Sequence, residues 1–301
     1  MIRGEIMVKV KILEETEESM RLLLSKTDRS LANALRRSLI SDTPKMAIDS
    51  VRFQLGTKEQ DEEVWETTGP IPDEMVAQRL AMIPIPTMHE KFHFQDECPN
   101  CKDLVEDDRG CLECQMIYTC VVFGTEEGRW VTAGDMKYLG EESLEIPPEY
   151  KSIAITKLLK GQMIEFYATA VMGRGRDHTK WSPVCGVSFQ PRRIGLLNNK
   201  TKAKMLWDMD LEIKAKDFGK DGKLDDIEKV AILSMELNHV GEGTEESRLF
   251  KEAITLEEVP GEFILEFETD GSMSPRVAFE KASEELASRF GTLEKDLTDG
   301  L

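Results

Sequence analysis

The sequence predicts an α+β fold assembled from both ends of the chain and interrupted by a long insertion. Three observations carry this: alternating apolar segments followed by an amphipathic helix near the N-terminus, the same order of strand then helix near the C-terminus, and roughly two hundred residues between them, far too many for a loop. The first strand is read from Ile6, Val8, Val10 and Ile12, alternating with Met7, Lys9 and Lys11. The second is read from Met20, Leu22 and Leu24 after the acidic stretch 14–18, so the pair forms a hairpin. From Asp28 to Pro44 the chain then predicts a short helix. Leu31, Ala34, Leu35, Ser38 and Leu39 follow one-face helical spacing, Asp28 or Ser30 offers an N-cap, and Pro44 ends the element. Arg36 and Arg37 leave its flank, where planar guanidinium forks suit carboxylates of another chain. Taken alone, the same pattern also fits a core helix with two solvated arginines.

At the other end Phe263, Leu265 and Phe267 alternate with Ile264, Glu266 and Glu268. The turn 271–275 follows, with Ser274 as cap and Pro275 at the first helical position. The last helix sets Phe279, Ala282, Leu286 and Phe290 on one stripe. Inside the insertion, residues 71–86 predict a helix with Val76, Leu80 and Ile83 facing one way, ended by Pro84 and Pro86. Residues 162–172 read as a buried strand. From about residue 190 to 260 the chain becomes more charged, with short strand-like and helical patches, and the acidic cluster 59–63 reads as a solvated loop.

With 301 residues and 40% hydrophobic content the chain can bury real cores. Its formal charge of -18 repels a polyanion, which argues against a free-standing nucleic-acid or anionic-membrane binder. The sequence shows neither a signal-peptide core nor a run of membrane-spanning length, so a soluble cytoplasmic protein with no membrane partner is expected.

Six cysteines are too sparse for a disulfide scaffold, and four of them form two C-x-x-C pairs, Cys98 with Cys101 and Cys111 with Cys114. Two such knuckles can close four thiolates around one ion. Zinc is favoured over iron because every ligand position is filled, which also marks the site as structural. Cys120 and Cys185 have no such partner and read as small buried apolar residues. His89 and His93 lie nearby, but the four-sulfur set is already complete. The segment Gly173 to Trp181 carries a G-x-G without the rest of a phosphate loop. His178 lacks a nucleophile at catalytic spacing. Arg174, Arg176, Lys180 and His178 around Trp181 therefore read as a protein-contact cluster. Asp217, Asp221, Gly222, Asp225 and Glu228 mimic a calcium loop, but Gly219 removes one ligand, so a polar turn is expected, preceded by a strand-like alternation from Leu211. Arg192, Arg193, Lys200, Lys202 and Lys204 lack interleaved aromatics and read as solvated or protein-facing surface.

Taken together, the helix Ser30 to Ser41 followed by Ala47-Ile48-Asp49, the helix Asp73 to Leu80 with Ile83-Pro84, the segment His178 to Pro183, and the final Phe267 to Ser272 resemble the alpha-like subunits of cellular DNA-directed RNA polymerases. The archaeal form is the nearest type, the counterpart of the third-largest subunit of eukaryotic polymerase II and of the bacterial alpha N-terminal domain. The motifs occur in family order across nearly the whole chain. The resemblance implies a split dimerisation domain (1–46 and 260–301), an inserted, mostly β domain with the cysteine loop (47–189), and a small third α/β segment (190–259). It also implies pairing with a small alpha-like subunit, called L in archaea. The interface would use Leu31, Ala34, Leu35, Leu39, Phe279 and Leu286, while Arg36 and Arg37 would dock the second-largest subunit. The pair would form a platform for the two large catalytic subunits and the small assembly subunits, with DNA and RNA met only through the complex. No catalytic residue is expected in this chain. Some archaeal relatives carry an iron-sulfur cluster in the third domain; 190–260 here has no cysteine, so none is expected. The spacing of the cysteine loop also departs from the eukaryotic zinc loop. A stand-alone zinc-knuckle nucleic-acid binder is the competing reading, and the charge opposes it.

Overall fold

The computed structural model describes residues 8–60, 62–204, 212–239 and 252–299. Ile6, Met7 and Leu211, named above in expected strands, lie outside them. In chain order the first elements are β1 (Lys9–Glu15), β2 (Ser19–Ser25), α1 (Arg29–Ser41), β3 (Pro44–Phe53), β4 (Thr57–Gln60), β5 (Glu63–Glu66) and α2 (Asp73–Ala81). After the cysteine loop come β6 (Gln115–Phe123), β7 (Arg129–Thr132), β8 (Lys137–Tyr138), β9 (Ala154–Leu158) and β10 (Met163–Arg174). The chain closes with β11 (Val184–Leu197), β12 (Lys223–Leu224), α3 (Ile227–His239), β13 (Ile254–Thr269) and α4 (Pro275–Asp299). Helices and antiparallel sheets are mixed along the chain, as the α+β expectation requires.

Two compact units emerge, and both are discontinuous in sequence. One draws on the described parts of Met1–Leu13, Arg21–Asn33 and Ser188–Leu265; the other comprises Glu14–Met20, Ala34–Val187 and the described part of Glu266–Leu301.

The first unit holds most of a five-stranded sheet ordered β1-β2-β13-β11-β12. Met20, Leu22 and Leu24 of β2 and Phe263, Ile264 and Leu265 of β13 are buried, matching the apolar pattern of their sequences. β1 is the edge strand, and its apolar residues Val10 and Ile12 remain exposed. Asp28 accepts the Leu31 N–H at 2.8 Å and caps α1. Phe218, Leu224, Val230 and Leu233 build a small core around α3. The guanidinium of Arg192 bridges Glu262 and Asp225. The strand-like alternation from Leu211 does not become a strand in the described residues 212–217. Asp217 instead accepts the Lys214 N–H at 2.7 Å and closes a short 3-10 turn, a local hydrogen bond that outcompetes extended pairing. Lys229 pairs with the same carboxylate at 2.5 Å, and this contact holds Asp217 below its ordinary pKa. The loop is thus a polar turn with its first carboxylate already engaged.

In the second unit a four-stranded sheet runs β3-β10-β6-β8, with β10 antiparallel to both neighbours. Ala168 and Ala170 of β10, Met116 and Tyr118 of β6, and Met46 and Ile48 of β3 form a core with Val76 and Leu80 of α2 and with Ile83 and Ile85. The predicted apolar face of α2 is therefore the one that is buried. Ser274 accepts the Val277 N–H at 3.4 Å at the start of α4, which opens with Pro275 as expected.

The segment after β10 corrects the reading of a protein-contact cluster for Arg174, Lys180 and Trp181, which are engaged within the chain. Gly173 lies against the Trp181 ring, where an added Cβ would sit 2.3 Å from ring atoms, and Gly175 lies against the Ile40 carbonyl at 2.0 Å by the same measure. Lys180 is buried and pairs with Asp49 at 2.5 Å; Arg174 pairs with Glu285 at 2.9 Å and stacks over Phe94. Trp181 donates its ring N–H to the Val171 carbonyl at 3.1 Å. These residues fasten the chain to itself, while Arg176, Asp177, His178 and Thr179 of the turn face water and stay available for contact. Cys185 is a second correction. It is exposed, because Val184 takes the inward position at the start of β11 and the next side chain must point out. Cys120 is buried as expected, and burial pushes its thiol up to about 12.

Lys45 is the least expected core residue. Its ammonium donates to the Lys180 carbonyl at 2.8 Å and pairs with Asp270. Replacing Asp270 with Ala leaves that buried cation without a counter-charge and should lower stability by about 3 kcal/mol, read from the urea midpoint. His89 offers a pH test. Its Nε2 donates to the Pro44 carbonyl at 2.9 Å; burial lowers its pKa below 6.5, with Lys281 acting in the same direction and the Pro44 bond, Glu284 and Glu285 opposing. The contribution of this depressed group is fully present above pH 6.5 and is lost as pH falls through the lower folded value. Urea midpoints at pH 7 and pH 5 should therefore differ less in His89→Gln than in the parent.

Candidate metal centre and assembly surface

Each C-x-x-C pair folds into the same tight turn. Cys101 and Lys102 donate their backbone N–H groups to the Cys98 carbonyl at 3.1 and 2.9 Å, and Cys114 and Gln115 donate to the Cys111 carbonyl at 3.1 and 3.0 Å. Gly110 introduces the second turn with φ +143°, a conformation that favours glycine, and an added Cβ would strike the Gln115 side chain. The turns face one another and bring the four Sγ atoms within 4.8 Å. Cys98 to Cys111, Cys111 to Cys114 and Cys114 to Cys101 are 3.6, 3.7 and 3.8 Å apart.

An ion about 2.3 Å from each of four tetrahedral sulfurs requires edges of about 3.8 Å, so the donor set fits such a metal. All four thiols are free of disulfides. Backbone N–H groups of Cys111 and Glu113 point at the sulfurs of Cys114 and Cys111, at 3.2 and 3.4 Å. Burial acts to raise the Cys111 thiol, yet the Glu113 N–H and the neighbouring sulfurs outweigh it and bring the group to about 7. Burial pushes Cys114 up to about 12 and also raises Cys98. His89 is engaged with Pro44, and the His93 backbone N–H bonds to the Glu113 carbonyl at 2.9 Å.

The loop around these thiols has almost no other interior. Cys98, Cys101 and Cys114 are its buried cluster, with Cys111 packed against them, while Leu104, Val105 and Leu112 are exposed.

Helix α1 turns two kinds of face outward. Leu35 and Leu39 are buried within the chain, Leu31 and Ala34 are half-buried, Arg36 is half-buried and Arg37 is exposed. On α4, Ala278 and Ala282 are buried, and Ser38 donates its hydroxyl to the Ala282 carbonyl at 2.7 Å, so small residues let the two helices approach closely. Phe279 and Leu286 are half-buried. Beyond them Phe290, Leu293 and Leu297 are exposed. With Leu286 they make an apolar stripe at steps of four, three and four, the seam spacing of a packed helix. Leu293 and Leu297 were missed in the sequence, although this same spacing is the signal that finds them. His178 is no acid–base group in this arrangement, since its Nδ1 accepts the Lys180 N–H at 3.1 Å and shapes the turn. Among the described residues no helix is long and apolar enough to cross a membrane.

Residues 21–290 match the model of the RNA polymerase Rpb3/Rpb11 dimerisation domain, and the chain belongs to that family. DNA-directed RNA polymerase subunit Rpo3 of Picrophilus torridus is 29% identical over 289 residues, 96% of this chain and 99% of that protein. The subunit of the same name from Pyrococcus horikoshii is 35% identical over 178 residues, 59% of this chain and 57% of its own length. DNA-directed RNA polymerase II subunit rpb3 of Dictyostelium discoideum is 34% identical over 199 residues, 63% of this chain and 59% of that protein. The relatives are thus subunits of a nucleotidyl-transferring polymerase, in archaea and eukaryotes alike.

Because the four cysteine side chains are nearly the whole interior of their loop, Cys98→Ser with Cys101→Ser should expose residues 97–115 to limited proteolysis. The β3-β10-β6-β8 core, which has its own apolar interior, should keep its far-ultraviolet circular dichroism.

Proposed function

We propose that the chain is the non-catalytic assembly subunit of a DNA-directed RNA polymerase, which pairs with a small alpha-like subunit, L, and so forms the platform on which the two large catalytic subunits and the small assembly subunits gather. One observation carries the reading: the family match runs from β2 through α1 into α4, and within α4 an apolar stripe is left in water. In this reading Leu31, Ala34, Phe279 and Leu286 meet the partner, Leu35 and Leu39 shape the seam from beneath, and Phe290, Leu293 and Leu297 extend it. Arg36 and Arg37 dock the second-largest subunit. The four cysteines hold one structural zinc ion, which supplies cross-linking rather than chemistry because no ligand position stays open. DNA and RNA are met through the complex in the cytoplasm.

Co-expression with the small alpha-like partner tests this directly. Stoichiometric co-purification and about one zinc per chain are expected. Phe290→Glu with Leu293→Glu should abolish pairing, whereas Arg36→Glu with Arg37→Glu should leave pairing intact and block capture of the second-largest subunit. A stable parent monomer indifferent to the partner, or a steeply salt-dependent affinity of the isolated chain for DNA, would return the molecule to a stand-alone nucleic-acid binder.

A further inference from the structure

A cavity of about 360 Å³ opens beside α1, lined by Ala34, Arg37, Ser41, Asp42, Arg176, Leu286 and Arg289. Three arginines reach it from three separate segments. Arg37 comes from α1, Arg176 from the turn after β10, and Arg289 from α4.

Each arrives on backbone that is held in place. The Arg176 N–H donates to the Ser41 carbonyl at 3.0 Å, and Gly175 beside it abuts the Ile40 carbonyl so closely that no Cβ fits. The Ser38 to Ala282 bond fixes α4 against α1 two turns before Arg289. Charge in the cavity is unbalanced. Arg289 pairs with the buried Asp42 at 2.6 Å, which leaves Arg37 and Arg176 with no carboxylate partner among the described residues of a chain carrying -18 overall. One wall is apolar, formed by Ala34 and Leu286, so a charge entering the cavity would lose part of its water and depend on the guanidinium groups.

We propose that this cavity receives the carboxylate of an aspartate or glutamate side chain from the large subunit that docks on the α1 flank, with Arg37 and Arg176 gripping it as paired forks. The proposal deepens the docking reading given above and rests on it. A carboxylate suits the site better than a nucleic-acid backbone. Two guanidinium forks suit one planar anionic group, while a polyanion would have to approach against the net charge of the chain. The Asp42 to Arg289 pair shows an arginine holding a carboxylate in the same cavity. Ala34 and Leu286, which line the cavity, also belong to the seam assigned to the small partner, so the cavity lies where that seam meets the arginine flank of α1.

Full-length Arg176→Glu, Arg176→Lys and Arg37→Glu chains, each co-expressed with the small alpha-like partner, are compared for capture of the second-largest subunit across a salt series. Pairing with the small partner is the control for folding. Arg176→Glu should pair normally yet bind the large subunit at least roughly tenfold more weakly and with a shallower salt dependence, and Arg176→Lys should fall between it and the parent. If Arg37→Glu blocks capture and Arg176→Glu does not, the carboxylate pocket is overturned while docking on α1 stands. If neither changes capture, both fall. Loss of DNA retention by the complex with subunit capture intact would assign the cavity to a phosphate and overturn the proposal equally.

Discussion

One ammonium group, that of Lys45, joins three chain segments that the sequence keeps far apart. It sits at the second position of β3, buried, and meets the Lys180 carbonyl 135 residues away and the Asp270 carboxylate 225 residues away. A cation withdrawn from water in this way is tolerated only when its partners are in place, so the geometry of all three segments is fixed together. Asp270 is fixed in turn. Its other oxygen accepts the Ser272 hydroxyl at 2.6 Å and the Ser272 N–H at 3.1 Å, and its own N–H donates to the Pro183 carbonyl. The entry to α4 hangs on that turn. Where α4 begins decides where Ala282 meets Ser38, and hence which residues further along are left outside.

Helix α4 shows how one element can serve two surfaces. Its 25 residues span about 37 Å, and its early turns bury Pro275, Ala278 and Ala282. Small side chains there permit close approach to α1. Farther along the helix the buried positions stop, yet large apolar residues continue at the same spacing. Among the described residues the apolar stripe thus outlasts the packing that its own chain supplies.

What the sequence made legible was local. The two C-x-x-C turns could be read because four residues each suffice to place the sulfurs, and the faces of α1, α2 and α4 could be read because helical spacing repeats within a few turns. Asp28 and Ser274 announced the helix starts for the same reason. What stayed hidden depended on distant partners. Nothing near Lys180 reveals that its ammonium meets Asp49, and nothing near Gly173 reveals the Trp181 ring that forbids a side chain there; the G-x-G spacing is a packing signature. Cys185 differed from Cys120 only by which side of a strand it faced. The convergence of Arg37, Arg176 and Arg289 has no counterpart in sequence at all, since each lies in a different segment.

The cysteine loop has a thermodynamic consequence for the whole molecule. Its interior is made of sulfur, while the sheets on either side of it in sequence are closed by aliphatic and aromatic cores of their own. With a metal on the four sulfurs, opening the loop would be governed by ligand exchange, proton uptake by the sulfurs and the concentration of free metal, whereas melting a sheet is governed by temperature and denaturant. These are separate equilibria with separate variables. A midpoint measured on such a chain belongs to the part that the chosen probe reports.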